Sequence, residues 1–232
     1  MYKGEKYIQG SIRTVFVALS EFVEDLEVIV IVDGFLDKSF ERAKELENSY
    51  PQLKVVGYEE NRGKGGAIKH ALGFVTKEHV AFIDADLDIH PTSLVRFMLL
   101  MKETGADIVI GSKLHDDSRV YYKKRRWIAS MGYRALVKML FPFIDARDFQ
   151  TGMKLFRTNV LRFLFEKALV KMFAFDLELM VIAHKHQYKI AEAPVDIKYS
   201  HDVSNVTAWQ VKVIFIDTLA VAYRNYWLKW YT

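Results

Sequence analysis

Short apolar runs alternate with amphipathic segments along the first half of the chain. The runs predict strands over residues 26–32, 53–58, 79–84 and 107–112, and the amphipathic segments predict helices over 5–22, 38–49, 64–76 and 92–104. The run at 28–32 is apolar on both faces, which is typical of a parallel strand covered by helices on each side. Strands that alternate with helices in this way predict an α/β fold.

The second half of the chain is less regular. It predicts strands over 153–156 and 189–195, and helices that end near residue 140, begin near 159, cover 175–184 and close the chain. The sequence contains no internal repeat, low-complexity tract or flexible linker. The simplest prediction is therefore a single domain over residues 1–232.

Composition and charge narrow the functional classes. The 232 residues include no cysteine, which excludes a disulfide framework, thiolate zinc and iron–sulfur sites and a cysteine nucleophile. The net charge of +4 is compatible with an anionic ligand, a nucleic acid or a membrane surface, and it selects none of them. The first ten residues lack the apolar core of a secretory signal.

The last apolar stretch is expected not to cross a bilayer, because Lys212, Asp217 and Arg224 interrupt it. Aromatic residues are interleaved with these charges: Trp209, Phe215, Tyr223, Tyr226, Trp227, Trp230 and Tyr231. Two interpretations stay open. The segment is either a terminal helix packed on the domain or an interfacial helix that lies on a membrane.

Polar residues follow three predicted strands, at the sheet edge where open α/β sheets bind ligands. Asp33 and Gly34 follow the first of these strands. The alternative to a ligand-binding role is an ordinary turn in which Asp33 caps the next helix. Residues 61–67, NRGKGGA, follow the second. Glycines at a helix N-terminus, together with Arg62 and Lys64, suit a pyrophosphate. The segment does not match the P-loop motif, and the alternative is a flexible turn without a ligand.

The third cluster places Asp84, Asp86 and Asp88 directly after a strand. Carboxylates at this spacing repel one another, and Mg²⁺ or Mn²⁺ bound by their oxygens relieves the repulsion. A calcium-binding EF-hand loop does not fit, because the sixth position is Ile89 and the twelfth is Val95. The remaining alternative is a group of acids that caps the following helix.

Several stretches together resemble the family 2 glycosyltransferases of the GT-A fold, and within them the dolichyl-phosphate glucose and mannose synthases. The matching segments are IVIVDGFLDKS at 29–39, NRGKGGAIKHAL at 61–72, FIDADLD at 82–88, DIVIGSK at 107–113, DFQTGMKLFR at 148–157, FAFDLEL at 173–179 and IAEAPVDIKY at 190–199. The resemblance covers nearly the whole chain. It implies a Rossmann-like, mostly parallel sheet flanked by helices, with a nucleotide-sugar and metal half at 1–112 and an acceptor half at 113–232 that ends in an amphipathic helix.

The resemblance also implies roles for individual residues. It assigns the metal to Asp84, Asp86 and Asp88, and the nucleotide sugar to Asp33, Lys64, Gly65, Asp84 and Gln150. It assigns the acceptor phosphate to Lys113, Arg126 and Ser130, catalysis to Asp86 and Asp176, and the sugar side of the site to Asp176 together with Glu178.

The function implied by the resemblance is an inverting, metal-dependent transfer of a hexose, glucose or mannose, from UDP or GDP to a polyprenyl or dolichyl phosphate. The expected cofactor is Mg²⁺ or Mn²⁺, and the expected location is peripheral, on the cytoplasmic face of a membrane. The basic and aromatic segment at 121–127 is compatible with nucleic acid, but its charge is local, and we expect no nucleic-acid partner.

Two departures from the family pattern favour an alternative function. Only the end of the family's opening strand motif, V-S-V-V-I-P-A-Y-N-E, is matched by the first residues of this sequence, so the first sheet strand is expected to be missing. Val32 and Phe35 also replace an acid and a serine of the turn at 32–35. The alternative is a non-catalytic GT-A domain that serves as a nucleotide-binding or interaction module.

Overall fold

The computed structural model of the chain describes residues 4–120, 124–197 and 208–232, without the side chains of 124–129 and 208. The helices are α1 (Ile8–Leu19), α2 (Ser39–Lys44), α3 (Gly63–Ala71), α4 (Ser93–Thr104), α5 (Lys124–Leu140), α6 (Thr158–Lys167), α7 (Phe175–Lys185) and α8 (Ala208–Tyr226). The strands are β1 (Val28–Asp33), β2 (Leu53–Tyr58), β3 (His79–Phe82), β4 (Ile108–Ser112), β5 (Arg119–Val120), β6 (Lys154–Arg157), β7 (Ile190–Pro194) and β8 (Asp196–Ile197).

The predicted alternation of strands and helices is confirmed, with differences at the ends of elements. The helix expected at 38–49 ends at Lys44, and a series of turns leads from there to β2. The helix expected at 64–76 ends as a short 3-10 turn over Leu72–Phe74. The strands β5 and β8 were not predicted, because elements of two residues show no periodicity.

The strands form a mixed arrangement. β1 pairs in parallel with β2, β4 with β7, and β5 with β8, whereas β6 lies between β3 and β4 and is antiparallel to both. β3 and β4 therefore run in the same direction, as expected for an α/β fold. Among the described residues no ladder joins β1 to β3.

The helix α7 lies at the centre of the main hydrophobic core. Its residues from Phe175 to Ala183 are all buried, because α6, α8 and the larger sheet enclose it. A smaller cluster packs α1 and α2 against β1 and β2, with Ile12, Phe16 and Leu53 at its centre. These contacts hold the two parallel strands of the first half in place.

The terminal helix α8 packs on the domain through one face only. Thr218, Val221, Ala222 and Asn225 are buried at the three- and four-residue spacing of one helix face. The other face exposes large apolar side chains, together with the residues that follow the helix: Trp209, Val211, Phe215, Ile216, Leu219, Tyr223, Tyr226, Trp227, Leu228 and Trp230. Tyr231, one of the aromatic residues considered for a membrane face, is instead buried.

Candidate functional site

The acids and the lysine singled out in the first half lie together at the carboxyl ends of β1 and β3. Asp33 is the last residue of β1, Asp84 follows β3 by two residues, and Lys64 lies in the first turn of α3. Asp33, Lys64 and Asp84 line one end of the same cavity. This edge of the sheet is where an α/β fold binds its ligand.

Asp33 is buried and organises the turn after β2. Its Oδ1 accepts hydrogen bonds from the Tyr58 hydroxyl at 2.8 Å and from the Arg62 amide at 2.7 Å. Burial raises the pKa of Tyr58, and the hydrogen bond to Asp33 raises it further. The Arg62 guanidinium lies over the Tyr58 ring, 4.3 Å from its centroid. An aromatic and cationic surface is thus held beside the Asp33 carboxylate.

The glycines of the segment at 61–67 allow close packing against the chain before α7. The Gly65 and Gly66 amides donate to the Lys171 carbonyl, at 2.9 and 3.2 Å. A Cβ on Gly65 would lie 2.8 Å from Phe175 Cβ, which leaves no room for a side chain. The amide that we expected Gly65 to offer to an anion therefore has a protein partner, and Lys64 supplies the charge of this turn.

Lys64 connects α3 to the acidic turn after β3. Its Nζ lies 2.5 Å from Asp84 Oδ1. Burial alone would lower the pKa of Lys64, but the nearby carboxylates of Asp84, Asp176 and Asp86 outweigh this effect and raise it. On the other side of Asp84, a Cβ on Gly152 would overlap the Asp84 carboxylate. Position 152 therefore has to be glycine for Asp84 to keep this orientation.

The acidic turn itself is held by α1. The Ser11 hydroxyl donates to the Ala85 carbonyl at 2.6 Å, and Leu87 has a positive φ of 54°, an uncommon conformation for a leucine. Burial raises the pKa of Asp86, and the charges of Asp84 and Asp88 raise it further. The Asp88 amide lies 3.4 Å from Asp86 Oδ1. The turn thus keeps three carboxylates close to one another.

Two residues near these acids were missed by the sequence analysis. Burial raises the pKa of Tyr7, and the charges of Asp86, Asp37 and Asp84 raise it further. Lys154 is fully buried, and its Nζ lies 2.8 Å from Asp176 Oδ1 and 2.6 Å from the Thr151 carbonyl. The available signal for the second residue was a lysine among the apolar residues of the strand predicted at 153–156.

Lys154 fixes Asp176 at the start of α7. Burial lowers the pKa of Lys154, while Asp176 acts in the opposite direction. Asp176 and Glu178 were expected to line the site together, but they diverge, because residues two apart on a helix point to different sides. Glu178 is fully buried and accepts hydrogen bonds from Arg224 Nη2 at 2.9 Å and from the Tyr231 hydroxyl at 2.5 Å. The expectation for Glu178 is therefore wrong: it anchors the C-terminal segment.

Lys113 and Gln150 meet at a buried aspartate that the sequence analysis did not select. Asp148 Oδ2 accepts the Lys113 amide at 3.0 Å, and the Lys113 ammonium lies 3.6 Å from the same oxygen. Asp148 Oδ1 accepts the Gln150 amide at 3.2 Å. This network holds the end of β4 against the loop that leads to Gly152 and β6.

The other predicted acceptor residues lie on α5. Ser130 is half-buried, and its carbonyl accepts a hydrogen bond from Arg134 Nε at 3.2 Å. Arg126 belongs to the same helix, but its side chain lies outside the described residues. Their roles stay predictions.

The acidic turn offers oxygen ligands but no complete metal cage. Among the described residues no group of three or more histidine, aspartate or glutamate side chains converges as a ready-made metal site. Magnesium commonly binds to one or two carboxylates and completes its coordination with substrate phosphates and water. Asp84 and Asp86 fit this pattern of two carboxylates completed by phosphates and water. Gly152, which has no side chain, leaves space for the Asp84 carboxylate.

Comparison with known proteins identifies the family. The sequence profile of glycosyl transferase family 2 matches residues 1–165, and the chain belongs to this family. It is similar to the dolichyl-phosphate beta-glucosyltransferases ALG5A and ALG5C of Trichomonas vaginalis, with 31% identity over 174 residues and 28% over 205 residues. These alignments cover 73% and 84% of this chain and 53% and 59% of the relatives, so the chain spans little more than half of their length.

Solved structures confirm the GT-A fold. Glucosyl-3-phosphoglycerate synthase from Mycobacterium tuberculosis, in complex with Mn²⁺, UDP-glucose and phosphoglyceric acid, superposes with a TM-score of 0.69. The match covers 93% of this chain and 76% of the synthase at 18% sequence identity. At this identity the likeness concerns the fold.

Proposed function

We propose that the chain is the catalytic domain of a glucosyltransferase that transfers glucose from UDP-glucose to a polyprenyl phosphate such as dolichyl phosphate. The observation that carries this proposal is the cluster of Lys64, Asp84 and Asp86 at the carboxyl ends of the strands, in a chain that belongs to family 2. Glucose, UDP and the lipid phosphate are inferred from the names of the relatives.

A divalent cation, Mg²⁺ or Mn²⁺, is part of the proposal, with Asp84 and Asp86 as its protein ligands. These ligands supply only oxygen atoms, which both cations prefer. Asp88 lies next to Asp86 in the same turn. When bound, the cation supplies positive charge that stabilises the nucleoside diphosphate as a leaving group. The mycobacterial synthase, whose complex contains Mn²⁺, supports this assignment through its common fold.

The chain's own residues bind and orient the donor. The surface formed by Tyr58 and Arg62 over Asp33 suits the nucleoside, and Lys64 suits the diphosphate. Asp176 is fixed by Lys154, and its charge helps to raise the pKa of Lys64, so we assign Asp176 to the sugar hydroxyls. Gln150 belongs to the loop that leads to Gly152, and Gly152 packs against the Asp84 carboxylate. We assign Gln150 to the sugar as well.

The proposed reaction is a direct displacement with inversion. An oxygen of the acceptor phosphate forms a bond to the anomeric carbon, the bond from that carbon to the diphosphate breaks, and its electron pair leaves with UDP. A phosphate monoester has a second pKa of about 6 and is already an anion near neutral pH, so it needs orientation more than a strong base. Lys113, Arg126 and Ser130 are the residues that we assign to this task.

The exposed apolar face of α8 supports a location at a membrane surface, where a lipid-linked acceptor is found. Its aromatic side chains include Trp209 and Tyr223, Trp227 follows directly after the helix, and Lys212 lies among these residues. Interfacial helices combine apolar and cationic residues in this way. In the part of the chain that the structure describes, no helix is long and apolar enough to cross a membrane. We place the domain peripherally, on the cytoplasmic face.

Transfer of labelled glucose tests the function directly. With Mn²⁺, UDP-[¹⁴C]glucose and dolichyl phosphate in liposomes, we expect a labelled lipid, and on the order of 100-fold less of it from Asp86→Asn, which removes a metal ligand. Glu103→Gln changes an exposed acid at the end of α4 and serves as the matched control. Equal labelling by Asp86→Asn and the control would contradict the role of the acidic turn, and GDP-mannose in place of UDP-glucose tests the donor.

The alternative is a non-catalytic domain, and the open space between β1 and β3 favours it. Calorimetry and the transfer assay together distinguish the two proposals, because a nucleotide-binding domain without catalysis would bind UDP and form no labelled lipid. Binding of UDP in the presence of Mn²⁺ is expected for the enzyme. The absence of binding at millimolar UDP favours a domain that acts through a protein partner.

A further inference from the structure

Glu178 also binds the chain that links α6 to α7, residues 169–173, which we call the α6–α7 link. Its Oε2 accepts hydrogen bonds from the Leu169 amide at 2.9 Å and from the Val170 amide at 2.6 Å. Its Oε1 accepts the two hydrogen bonds from the C-terminal segment. The two oxygens thus accept four hydrogen bonds, and only a carboxylate offers that many acceptor positions at one side chain.

The other end of the α6–α7 link packs against the segment at 61–67. The Lys171 carbonyl accepts the Gly65 amide at 2.9 Å. A Cβ on Gly63, whose φ is 77°, would lie 2.6 Å from Met172 Sδ and 2.7 Å from the Lys171 carbonyl oxygen. The glycines on both sides of position 64 therefore rest directly on the link.

The α6–α7 link is too short to absorb a displacement. Leu169 and Lys171 are two residues apart, and an extended chain covers at most about 3.6 Å per residue. Because packed groups hold both ends, a shift at Glu178 is passed on to the Lys171 carbonyl. Lys64 Nζ lies 2.5 Å from Asp84 Oδ1, and a site of this kind is sensitive to displacements of about 1 Å. The position of Lys64 thus depends on a fully buried carboxylate of α7.

We propose that Glu178 is a positioning residue of the donor site: through the α6–α7 link it fixes the segment at 61–67 and thereby Lys64. Glu178 acts without touching the substrate, because its oxygens are occupied by protein donors. The consequence for UDP binding rests on the proposed function, whereas the hold on the segment at 61–67 does not. The two are therefore measured separately.

Leu169→Pro breaks the contact between the link and Glu178 and leaves Glu178 itself in place. Proline has no amide hydrogen, and the Leu169 side chain is exposed. Ala168 already has the extended conformation that a following proline requires, with φ −75° and ψ 135°. Leu169→Ala keeps the amide and is the matched control.

Hydrogen exchange without any ligand measures the hold on the segment at 61–67. We expect the Gly65 amide to exchange about tenfold faster in Leu169→Pro than in Leu169→Ala, because its acceptor is no longer held. The amides of Val109 and Ile110 in the buried strand β4 report global unfolding and should differ by less than about twofold. Equal exchange at Gly65 in the two variants would overturn the proposal. An acceleration at Gly65 no greater than that in β4 would also overturn it, since it would reflect lower stability alone.

Calorimetry with UDP and Mn²⁺ measures the consequence for the donor site. We expect UDP to bind about fivefold or more weakly to Leu169→Pro than to Leu169→Ala, because Lys64 is displaced. Glu178→Gln should have the same effect. Its control is Val160→Ala, a buried residue of α6 whose truncation lowers stability and should leave UDP affinity unchanged.

The outcomes separate this proposal from the proposed function. UDP affinity that is equal in Leu169→Pro and Leu169→Ala would overturn the positioning role of Glu178. If the unaltered chain binds no UDP, the proposed function is contradicted, and the exchange rate at Gly65 still decides whether Glu178 holds the segment at 61–67.

Discussion

Lys64 Nζ lies 2.5 Å from Asp84 Oδ1, and this contact joins the first turn of α3 to the acidic turn after β3. The pair places a cation and a carboxylate at the point where a nucleoside diphosphate and its metal ion would meet. The carboxylates of Asp176 and Asp86 also raise the pKa of Lys64, so the ammonium stays charged at neutral pH. Lys64 is therefore available both to balance the acids and to contact the diphosphate.

Replacement of Lys64 by methionine is expected to weaken UDP binding. It removes one charge-assisted contact to the diphosphate, which corresponds to an affinity loss of about tenfold or more. Calorimetry with UDP and Mn²⁺ measures the change. The control is Lys102→Met, an exposed lysine of α4, which should bind as the unaltered chain does. UDP affinity that is the same in both variants would remove Lys64 from the donor site.

Gly152→Ala tests how Asp84 is held. The new methyl group overlaps the Asp84 carboxylate, so the side chain has to turn away from Lys64. We expect metal-dependent UDP binding to fall by roughly 10- to 100-fold, the usual effect of disturbing the surroundings of a metal ligand. Gly73→Ala is the matched control, because nothing lies within 4 Å of a Cβ at that position. Tm values that remain equal for the two variants would show that the loss is local.

The positions of the donor-side residues could be predicted because they follow strands. Asp33, Lys64 and Asp84 each come after an apolar run, and carboxyl ends of parallel strands meet at one edge. The β2 strand was predicted over its observed range, since a proline-containing turn precedes it and a polar, glycine-rich segment follows. Strand ends are thus the part of this site that periodicity alone locates.

Contacts between distant segments could not be predicted in the same way. Lys154 and Asp176 are twenty-two positions apart, and only the packing of β6 against α7 brings them together. The Lys171 carbonyl accepts a hydrogen bond from the Gly65 amide. Because both are backbone groups, no residue pattern in the sequence indicates this contact. The divergence of Asp176 and Glu178 was available from helix geometry, because residues two apart do not share a face.

Removal of divalent cations is expected to abolish donor binding. Among the described residues no ready-made cluster of three ligands exists, so the ion should bind weakly alone and tightly together with the diphosphate. Calorimetry in EDTA should show no UDP binding, and added Mn²⁺ or Mg²⁺ should restore it. The reciprocal measurement, Mn²⁺ binding with and without UDP, has to show the same factor, because coupling between two ligands is reciprocal. UDP binding that is equally tight in EDTA would contradict the metal site.

Glu178→Gln is expected to destabilise the domain. The substitution leaves Arg224 without its carboxylate partner, and breaking a largely buried ion pair by removing one member costs about 3–5 kcal/mol. Urea denaturation measures the free energy of unfolding. Tyr231→Phe keeps the ion pair and removes the hydroxyl that donates to Glu178 and accepts from Arg224 Nε, which should cost less, about 2–3 kcal/mol. Glu103→Gln, which has an exposed side chain, is the control, and a Glu178→Gln protein as stable as this control would contradict the anchoring role.

The exposed aromatic face of α8 gives the last prediction. Tyr223 and Trp227 stack with their ring centroids 6.0 Å apart, and Trp227 is 73% exposed. The double variant Tyr223→Ser, Trp227→Ser is expected to bind anionic liposomes about tenfold or more weakly, because it removes apolar area that would enter the interface. Co-sedimentation measures the binding. Val17→Ser, at a residue 75% exposed on α1, is the control for loss of an exposed apolar side chain elsewhere. If both proteins bind liposomes as the unaltered chain does, the membrane contacts another face.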